Sequence, residues 1–231
     1  MSAPVVHVSG VRKTYRSGSI EFEALCGIDM TIDEGEYVAV VGPSGSGKST
    51  LMNLLGCLDI PTEGTYLLGG EDVSTMSEAQ LAEVRNRRIG FVFQQFHLLA
   101  YLPAWRNVEL PLLYAGLPRA ERRERAVAAL ERVGLGDRVR NRPGELSGGQ
   151  QQRVAVARAL VTEPDIILAD EPTGNLDSAS TAAVLALLDE LHDAGRTIVL
   201  ITHEHEVAAR ASRNLVIRDG LITDDVLVGA R

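Results

Sequence analysis

The hydrophobic positions of the chain fall into short apolar runs that are separated by longer amphipathic stretches. Four of these runs are five residues long and nearly free of polar residues, at residues 37–41, 89–93, 165–169 and 197–201. Runs of this length without polar alternation are typical of strands that are buried on both faces of a sheet. The pattern therefore predicts an α/β fold with a mostly parallel sheet at its core.

Additional strands are predicted near both ends of the chain. Before residue 37, the pattern predicts a strand at residues 5–15, a short extended piece at 20–23 after a turn at Ser17-Gly18-Ser19, and a strand at 25–32. These pieces are expected to form an antiparallel β layer on the N-terminal side. Three more strands complete the set: residues 65–68 after a turn at 61–64, and residues 214–218 and 221–223 joined by an Asp219-Gly220 hairpin.

Amphipathic stretches with clear start and stop signals predict the helices. Ser77 and Gln80 form a capping box that begins a helix ending near residue 88, and Pro118 opens a long charged helix that Gly134 and Gly136 close. Other helices are predicted at residues 48–57, at 105–115 with an interruption at Pro111, after Ser147, and at 178–194. The stretch from about residue 70 to 146 is thus mostly helical and is inserted between two α/β segments.

The clearest chemical signal is a phosphate-binding pattern between the first buried strand and the helix that follows it. We call residues 42–50 the phosphate loop; its residues are Gly42, Pro43, Ser44, Gly45, Ser46, Gly47, Lys48, Ser49 and Thr50. They match G-x-x-x-x-G-K-[ST], in which backbone N–H groups surround phosphates at a helix N-terminus. Lys48 would contact the β- and γ-phosphates, and Ser49 would offer its hydroxyl to Mg²⁺. A Gly/Ser-rich linker is the alternative, but a linker has no reason to join an apolar strand to a helix.

Composition and charge restrict the partners. The 231 residues are 45% hydrophobic and carry a net charge of −8, which argues against nucleic acid as a partner. Cys26 and Cys57 lack metal-ligand spacing and are expected to be core thiols in a reducing compartment. No apolar run approaches the ~20 residues of a membrane span, and the first four residues do not begin a signal peptide. We therefore expect a cytoplasmic location, with any membrane contact made through a partner.

A second anion-binding element is predicted in the second half of the chain. Ser147 has the character of an N-cap, and Gly148, Gly149 and Gln150 follow it at the start of an amphipathic helix. The bare backbone N–H groups at that positive helix end would attract phosphate. We call residues 146–150 the Ser-Gly-Gly segment. Two phosphate-seeking helix N-termini in one chain suggest that two copies share the nucleotide.

The carboxyl ends of the buried strands carry the remaining candidate residues. Parallel sheets place ligands at this edge, so Gly42, Gln94, Asp170 and His203 are expected to lie along it. Asp170 suits a role on Mg²⁺, and Glu171 is placed to accept a proton from an attacking water. An ordinary turn before Pro172 is the alternative for this acidic pair.

Two single residues leave alternatives open. His203 alone would more often be a surface histidine, but in this setting a hydrogen bond to the γ-phosphate or to the catalytic water is favoured. Tyr15 could stack on an adenine or could simply be a half-buried strand tyrosine, and the residues themselves do not decide between the two.

Together, these motifs make the chain similar to the ATP-binding subunits of ABC transporters. The resemblance rests on residues 42–49, Gln94, residues 146–150, residues 166–171, Asn175-Leu176-Asp177 and His203, in that order. Residues 56–59, 93–99 and 171–177 resemble the branch that contains macrolide exporters and lipoprotein-releasing complexes. Cell-division ATPases that act on a membrane partner without moving a solute are close relatives of this branch.

The resemblance implies a phosphate-loop NTPase fold and a set of residue roles. It implies a single domain over residues 1–231, with a RecA-like core and β subdomain at 1–88 and 147–231 and an inserted helical subdomain at about 89–146. It implies that Tyr15 stacks on adenine, that Ser49 and Gln94 bind Mg²⁺, and that Glu171 is the general base.

The resemblance also implies partners. Two copies would form a head-to-tail dimer with two ATP molecules at the interface, where the phosphates on Lys48 of one copy meet Ser147 and Gly149 of the other. Asp177 would connect the two sites. A membrane permease subunit would dock near residues 94–102, which would place the chain on the inner face of the cell membrane.

Several other classes of protein remain possible at this point. Besides an ATPase that regulates a cell-division or envelope complex, they include a soluble ABC protein acting on ribosomes, a chromosome-maintenance ATPase and a small phosphate-loop kinase. The ribosomal class would need two tandem domains, and the chromosomal class would need a long coiled coil after Lys48. A kinase would not explain the Ser-Gly-Gly segment.

Overall fold

The computed structural model describes residues 4–18 and 20–228. The strands are β1 (Val6–Ser17), β2 (Ile20–Ile32), β3 (Tyr37–Val41), β4 (Glu63–Leu68), β5 (Glu71–Asp72), β6 (Ile89–Phe93), β7 (Ile166–Asp170), β8 (Thr197–Ile201), β9 (Arg213–Arg218) and β10 (Leu221–Leu227). The α-helices are α1 (Lys48–Leu55), α2 (Glu78–Arg88), α3 (Ala104–Tyr114), α4 (Arg119–Arg132), α5 (Gly148–Leu160), α6 (Ser178–Asp193) and α7 (His205–Ala208). Single 3₁₀ turns lie at Val73–Thr75 and Pro143–Glu145.

The strands form two sheets. The larger sheet has six strands in the order β10-β9-β3-β8-β7-β6, and only β10 runs antiparallel to its neighbour. The smaller sheet has the order β2-β1-β4-β5 and is antiparallel throughout. The predicted α/β fold, with a mostly parallel sheet and an N-terminal antiparallel layer, is therefore confirmed.

The core lies on both faces of the larger sheet, as the unbroken apolar runs predict. Along β3, Tyr37 and Ala39 belong to the cluster that packs against α3, α4, α5 and α6, whereas Val38 and Val40 belong to the cluster under the smaller sheet and α1. Each of these four side chains is at most 1% exposed. Alternate residues of one strand thus connect the two halves of the core.

Helix α3 connects the helical region to the larger sheet. It contains Pro111, as predicted, and its buried Leu112 packs in the same cluster as Leu130 of α4. Trp105 lies near the start of α3 with the guanidinium groups of Arg106 and Arg123 4.5 and 5.4 Å from its ring centre. The predicted capping box at Ser77 and Gln80 is present at the start of α2.

Some predicted boundaries are wrong for identifiable reasons. The pieces predicted at 20–23 and 25–32 form one strand, β2, because its pairing with β1 continues across shifts of register. Glu63 and Gly64 belong to β4 instead of a turn, since Glu63 pairs with Arg12 of β1. Helix α1 ends at Leu55, and Cys57 has a left-handed backbone with φ of 52°. Ser19 of the predicted turn lies outside the described residues.

Across residues 4–18 and 20–228, no helix has both the length and the apolar character needed to cross a membrane.

Candidate functional site

The phosphate loop joins the end of β3 to the start of α1, as predicted. The Lys48 ammonium donates to the carbonyl oxygens of Gly42 and Pro43, each at 2.8 Å, so its side chain folds back across the loop. Lys48 is only 9% exposed. The phosphate loop thus wraps around the Lys48 ammonium, and the N-terminus of α1 lies next to it.

The C-terminal hairpin of β9 and β10 contacts the phosphate loop. Gly220, in the turn between β9 and β10, donates its N–H to the Ser46 carbonyl at 2.9 Å and accepts a hydrogen bond from the Cys26 N–H at 2.9 Å. Its φ is +76°, and a Cβ here would lie 2.9 Å from both the Ala24 carbonyl oxygen and the Cys26 Sγ. One glycine therefore connects the phosphate loop to β2.

Replacing Gly220 with alanine should destabilise the protein more than replacing Gly70. Gly70 has a similar φ of +85° but has no atom within 4 Å of an added Cβ, so both changes carry the left-handed strain and only one adds a clash. We expect Gly70→Ala to cost about 1 kcal/mol and Gly220→Ala about 1–3 kcal/mol more. Urea unfolding of the two variants measures the difference, and equal losses would show that the hairpin turn does not support the loop.

A cavity of about 520 Å³ lies against the phosphate loop. Its lining consists of Phe22, Ala24, Ser44, Gly45, Gly47, Lys48, Ser49, Thr50, Asp170, Glu171, Ile201 and His203. Burial raises the pKa of Asp170, and the neighbouring Glu171 carboxylate raises it further while Lys48 opposes the shift. Loop donors and two carboxylates therefore share one cleft at the carboxyl edge of the sheet.

Glu171 and His203 form a pair across this cleft. The Nδ1 of His203 lies 2.7 Å from the Glu171 Oε1, and the Glu171 side chain is about one-quarter exposed. The Glu171 backbone is left-handed with φ of 42°, and its N–H donates to the Ile201 carbonyl at 2.8 Å. The left-handed backbone directs the Glu171 carboxylate away from the line of β7. The hydrogen bond to Ile201 of β8 holds the residue in this position.

Gln94 lies at the same edge of the sheet but is not one of the residues that line the cleft. It follows β6, which is separated from β3 by two strands, β8 and β7, in the larger sheet. An added Cβ on Gly174 would be 2.5 Å from the Gln94 Nε2, and the Gln94 carbonyl accepts the Asn175 Nδ2 at 3.1 Å. Gln94 therefore packs against the loop after Glu171.

The Ser-Gly-Gly segment begins α5 in the predicted way. Ser147 is the N-cap, with its Oγ accepting from the Gln150 N–H at 3.3 Å and its own N–H donating to the Gln150 Oε1 at 2.9 Å. Gly149 approaches α6 so closely that an added Cβ would be 2.6 Å from the Ser180 Oγ. Among the described residues that line the cleft, none belongs to this segment.

Asp177 caps the helix that contacts Gly149. It is the N-cap of α6 and accepts the backbone N–H groups of Ala179 and Ser180 at 3.1 and 3.0 Å. The hydrogen bonds from Ser180 lower the pKa of Asp177. The N-termini of α5 and α6 are therefore adjacent within the chain, away from its own cleft.

Tyr15 lies at the end of β1, where its cross-strand partner is Phe22. Its side chain is 39% exposed, and its hydroxyl lies 3.0 Å from the Asp59 Oδ2. Phe22 lines the cleft, so the two aromatic rings lie on strands at its margin.

Two polar residues of α5 were not identified from the sequence. Gln152 is fully buried, and its Nε2 donates to the carbonyls of Pro172 at 2.6 Å and Phe93 at 3.3 Å. Arg158 donates to the carbonyls of Phe96 and His97 at 2.8 and 2.6 Å, and both of those residues have left-handed backbones. A glutamine on the apolar face of α5 was the available signal for Gln152, whereas nothing in the pattern marked Arg158.

Comparison with known proteins gives the same assignment as the motifs. A family model described as ABC transporter matches residues 25–174. Macrolide export ATP-binding/permease protein MacB of Hyphomonas neptunium is 56% identical over 225 residues, which are 97% of this chain and 35% of that protein. The chain thus spans about a third of that relative. An uncharacterised ABC transporter ATP-binding protein of Bacillus subtilis, YknY, is 56% identical over 94% of this chain and 95% of its own length.

A solved structure agrees in fold over nearly the whole chain. It is described as a dimeric, post-hydrolysis state of the ATP-binding cassette MJ0796 bound to ADP and Pi. It has a TM-score of 0.88, 42% sequence identity, and coverage of 98% of this chain and 100% of its own. With the phosphate loop, the Ser-Gly-Gly segment and the acidic strand end in their expected places, this chain belongs to the ABC transporter family and is one of its ATP-binding subunits.

Proposed function

We propose that the chain hydrolyses ATP in the cleft at the phosphate loop and passes the resulting motion to a membrane partner of exporter type. The observation that carries the proposal is the cleft itself, where the loop, Asp170 and Glu171 line a space of about 520 Å³. A volume of this size suits a ligand as large as a nucleotide.

The phosphates would bind along the loop. The Lys48 ammonium, now shared by two loop carbonyls, is close enough to turn towards the β- and γ-phosphates, and the N–H groups of α1 would donate to them. The residues also fit a magnesium ion, since the Ser49 hydroxyl and the Asp170 carboxylate are oxygen donors in the same cleft. Bound there, Mg²⁺ would neutralise phosphate charge. Gln94 remains a proposed third donor, and it would have to leave its contact with Gly174.

Glu171 is the proposed general base. Its carboxylate would accept a proton from the water that attacks the γ-phosphorus, while the bond from that phosphorus to the β,γ-bridging oxygen breaks and ADP leaves. His203, whose Nδ1 lies 2.7 Å from that carboxylate, would orient Glu171, and its Nε2 would form a hydrogen bond with the water or the γ-phosphate. Tyr15 would stack on the adenine at the margin of the cleft.

Two copies of the chain would complete each site. Residues 147–150 do not line the cleft of their own chain, although their capped helix N-terminus suits an anion. In a head-to-tail dimer these residues would face the phosphates on Lys48 of the other copy, with Asp177 close to the interface. The dimeric, ADP- and Pi-bound form of the MJ0796 cassette supports this arrangement.

A membrane permease subunit would dock beside the loop after Gln94. A cavity of about 740 Å³ lies between α2, β6, α3 and α5, and its lining includes His97, Leu110, Tyr114 and Arg158. Tyr114, which lines this cavity, is 79% exposed, and Tyr101, in the segment after Gln94, is 70% exposed. The permease part named for the MacB relative supports a partner of this kind and a location at the cytoplasmic face of the membrane.

The chain would act as a single domain with two moving parts. We propose a RecA-like core with the β subdomain at residues 1–88 and 147–231, and a helical subdomain at about 89–146. Gln152 of α5 donates hydrogen bonds to the carbonyls of Phe93 and Pro172. It would therefore transmit conformational changes at Glu171 to the boundary between the core and the helical subdomain.

The experiment that tests the proposed function is recovery of the partner. Tagged Glu171→Gln protein, with ATP and Mg²⁺, is isolated from gently solubilised membranes of its own host. A four-span subunit with a large extracytoplasmic domain would support the exporter-type proposal. A six-span importer subunit would replace it with uptake, and a soluble partner alone would refute the membrane role.

Replacing Tyr114 with alanine should reduce recovery of that partner at least about tenfold, because exposed aromatic residues dominate such contacts. Leu227→Ala is the matched control, since Leu227 is 76% exposed on β10, away from the docking cavity. Co-purification is measured for both variants at equal ATP binding. Equal recovery from both would place the docking surface elsewhere.

A further inference from the structure

Asp59 lies at a junction between β1 and the end of α1. Its Oδ1 accepts the Lys13 ammonium at 2.5 Å, and its Oδ2 accepts the Tyr15 hydroxyl at 3.0 Å. Lys13 also donates to the Ile60 carbonyl at 2.8 Å, and the Ile60 N–H donates to the Asp59 Oδ1 at 2.8 Å. Both oxygens of one carboxylate are therefore occupied by fixed partners.

The cation of this junction is unusually enclosed. Lys13 and Lys48 are the only lysines in the sequence, and each is 9% exposed. The Lys13 ammonium also lies 5.0 Å from the centre of the Tyr15 ring, so one face of the ring is covered by a cation. Burial alone would raise the pKa of Asp59. The hydrogen bonds from Lys13, Ile60 and Tyr15 outweigh that effect, so the pKa is lowered. The carboxylate is therefore charged near neutral pH.

The junction is rigidly connected to the phosphate loop. The N–H groups of Leu58 and Asp59 both donate to the Asn53 carbonyl, at 2.8 and 3.2 Å, which fixes Asp59 to the last turn of α1. The first residue of α1 is Lys48, at the phosphate loop. A short helix thus carries the loop at one end and the anchor of Tyr15 at the other.

We infer that Asp59, together with Lys13, is a positioning residue that sets the distance and the ring plane of Tyr15 relative to the phosphate loop. Phosphates that carry a nucleoside base are therefore bound in preference to phosphates that carry none. The inference rests on the proposed stacking of Tyr15 on the adenine. A ring that is held before binding loses less rotational freedom when the base arrives, which strengthens stacking. Removing the anchor should therefore weaken only the part of the affinity that depends on the base.

The test compares ATP with inorganic tripolyphosphate, which has the phosphates but no base. Tyr15→Phe keeps the ring and removes its hydroxyl, and Asp59→Ala removes the acceptor. Each change should weaken ATP binding about fivefold and leave tripolyphosphate binding unchanged, since ring stacking alone accounts for about tenfold. The double variant should be no weaker than either single variant, because both remove the same link. Competition with a fluorescent ATP analogue measures all of these affinities.

Three controls make the result decisive. Glu23→Ala breaks an exposed ion pair with Arg12 on the same two strands and should change neither affinity. If Asp59→Ala fails to fold, Lys13→Met with Asp59→Leu removes the pair without leaving a buried charge. Tyr15→Ala removes the ring and should weaken ATP binding about tenfold.

The outcomes separate the inference from the proposed function. Equal weakening of ATP and tripolyphosphate binding by Asp59→Ala would show that Asp59 only supports α1, and would overturn the inference. Weakening by Tyr15→Ala without any effect of Tyr15→Phe or Asp59→Ala would also overturn it while leaving the stacking role intact. Unchanged ATP binding in Tyr15→Ala would refute the stacking role itself.

Discussion

Glu171→Gln protein should bind ATP normally and hydrolyse it about 100- to 10,000-fold more slowly than the parent chain. The amide keeps the size of the side chain and can still meet the His203 ring, but it cannot accept a proton from water. Since hydrolysis is what would reopen the closed pair of chains, the variant should accumulate as an ATP-bound dimer. Phosphate release gives the rate, and size-exclusion chromatography with ATP and Mg²⁺ gives the dimer.

Glu190→Gln is the matched control for this experiment. Glu190 is an exposed carboxylate on α6, outside the cleft, and its replacement should leave the rate within about twofold. A Glu171→Gln protein that hydrolyses ATP at the parental rate would remove Glu171 from the role of general base. In that case His203 would be the next candidate.

Lys48→Ala protein should lose about 10- to 100-fold in ATP affinity. A charge-assisted hydrogen bond is worth about 1.5–3 kcal/mol, and the Lys48 ammonium lines the cleft beside the backbone N–H groups that we propose to bind phosphate. The change also frees the carbonyls of Gly42 and Pro43, so the loop loses its internal closure. Calorimetric titration with ATP measures the affinity.

Arg87→Ala removes an exposed cation and serves as the control. Arg87 forms an ion pair with Glu83 of its own helix, and both side chains are more than 60% exposed. Its loss should leave ATP affinity unchanged, which excludes a general effect of net charge. Unchanged binding in Lys48→Ala would mean that the backbone of the loop holds the phosphates without the lysine.

The sequence predicted best what depends on residues close together in the chain. The bounds of β3, β6 and β8 agree with the predicted runs, because side chains buried on both faces leave no polar position to blur the pattern. The N-caps Ser77 and Ser147 were also predicted, since a cap is made within four residues. The phosphate loop and the acidic end of β7 belong to the same category.

The supports of the site could not be predicted, because they join segments that are far apart in sequence. Gly220 meets Ser46, and Asp59 meets Tyr15, only after the sheets have formed. The Asp219-Gly220 pair predicted a hairpin turn. That prediction explains the positive φ of Gly220 but not its contact with the phosphate loop. Asp59 lies in the stretch 56–59 that resembles the family branch, but nothing there indicated its contact with Tyr15, since a carboxylate after a helix is ordinarily solvated.

The hairpin contact under the phosphate loop has a consequence for synthesis of the protein. The phosphate loop, residues 42–50, is translated early. Strand β9, which pairs with β3, and Gly220, which contacts Ser46 of the loop, follow about 170 residues later. At about 5–20 residues per second, roughly ten to thirty seconds separate the two events on the ribosome. For most of that interval β3 lacks both of its sheet neighbours, β8 and β9, so we expect that a nascent chain does not yet hold the loop in shape. We therefore expect nucleotide binding to be delayed until β9 and Gly220 have been translated.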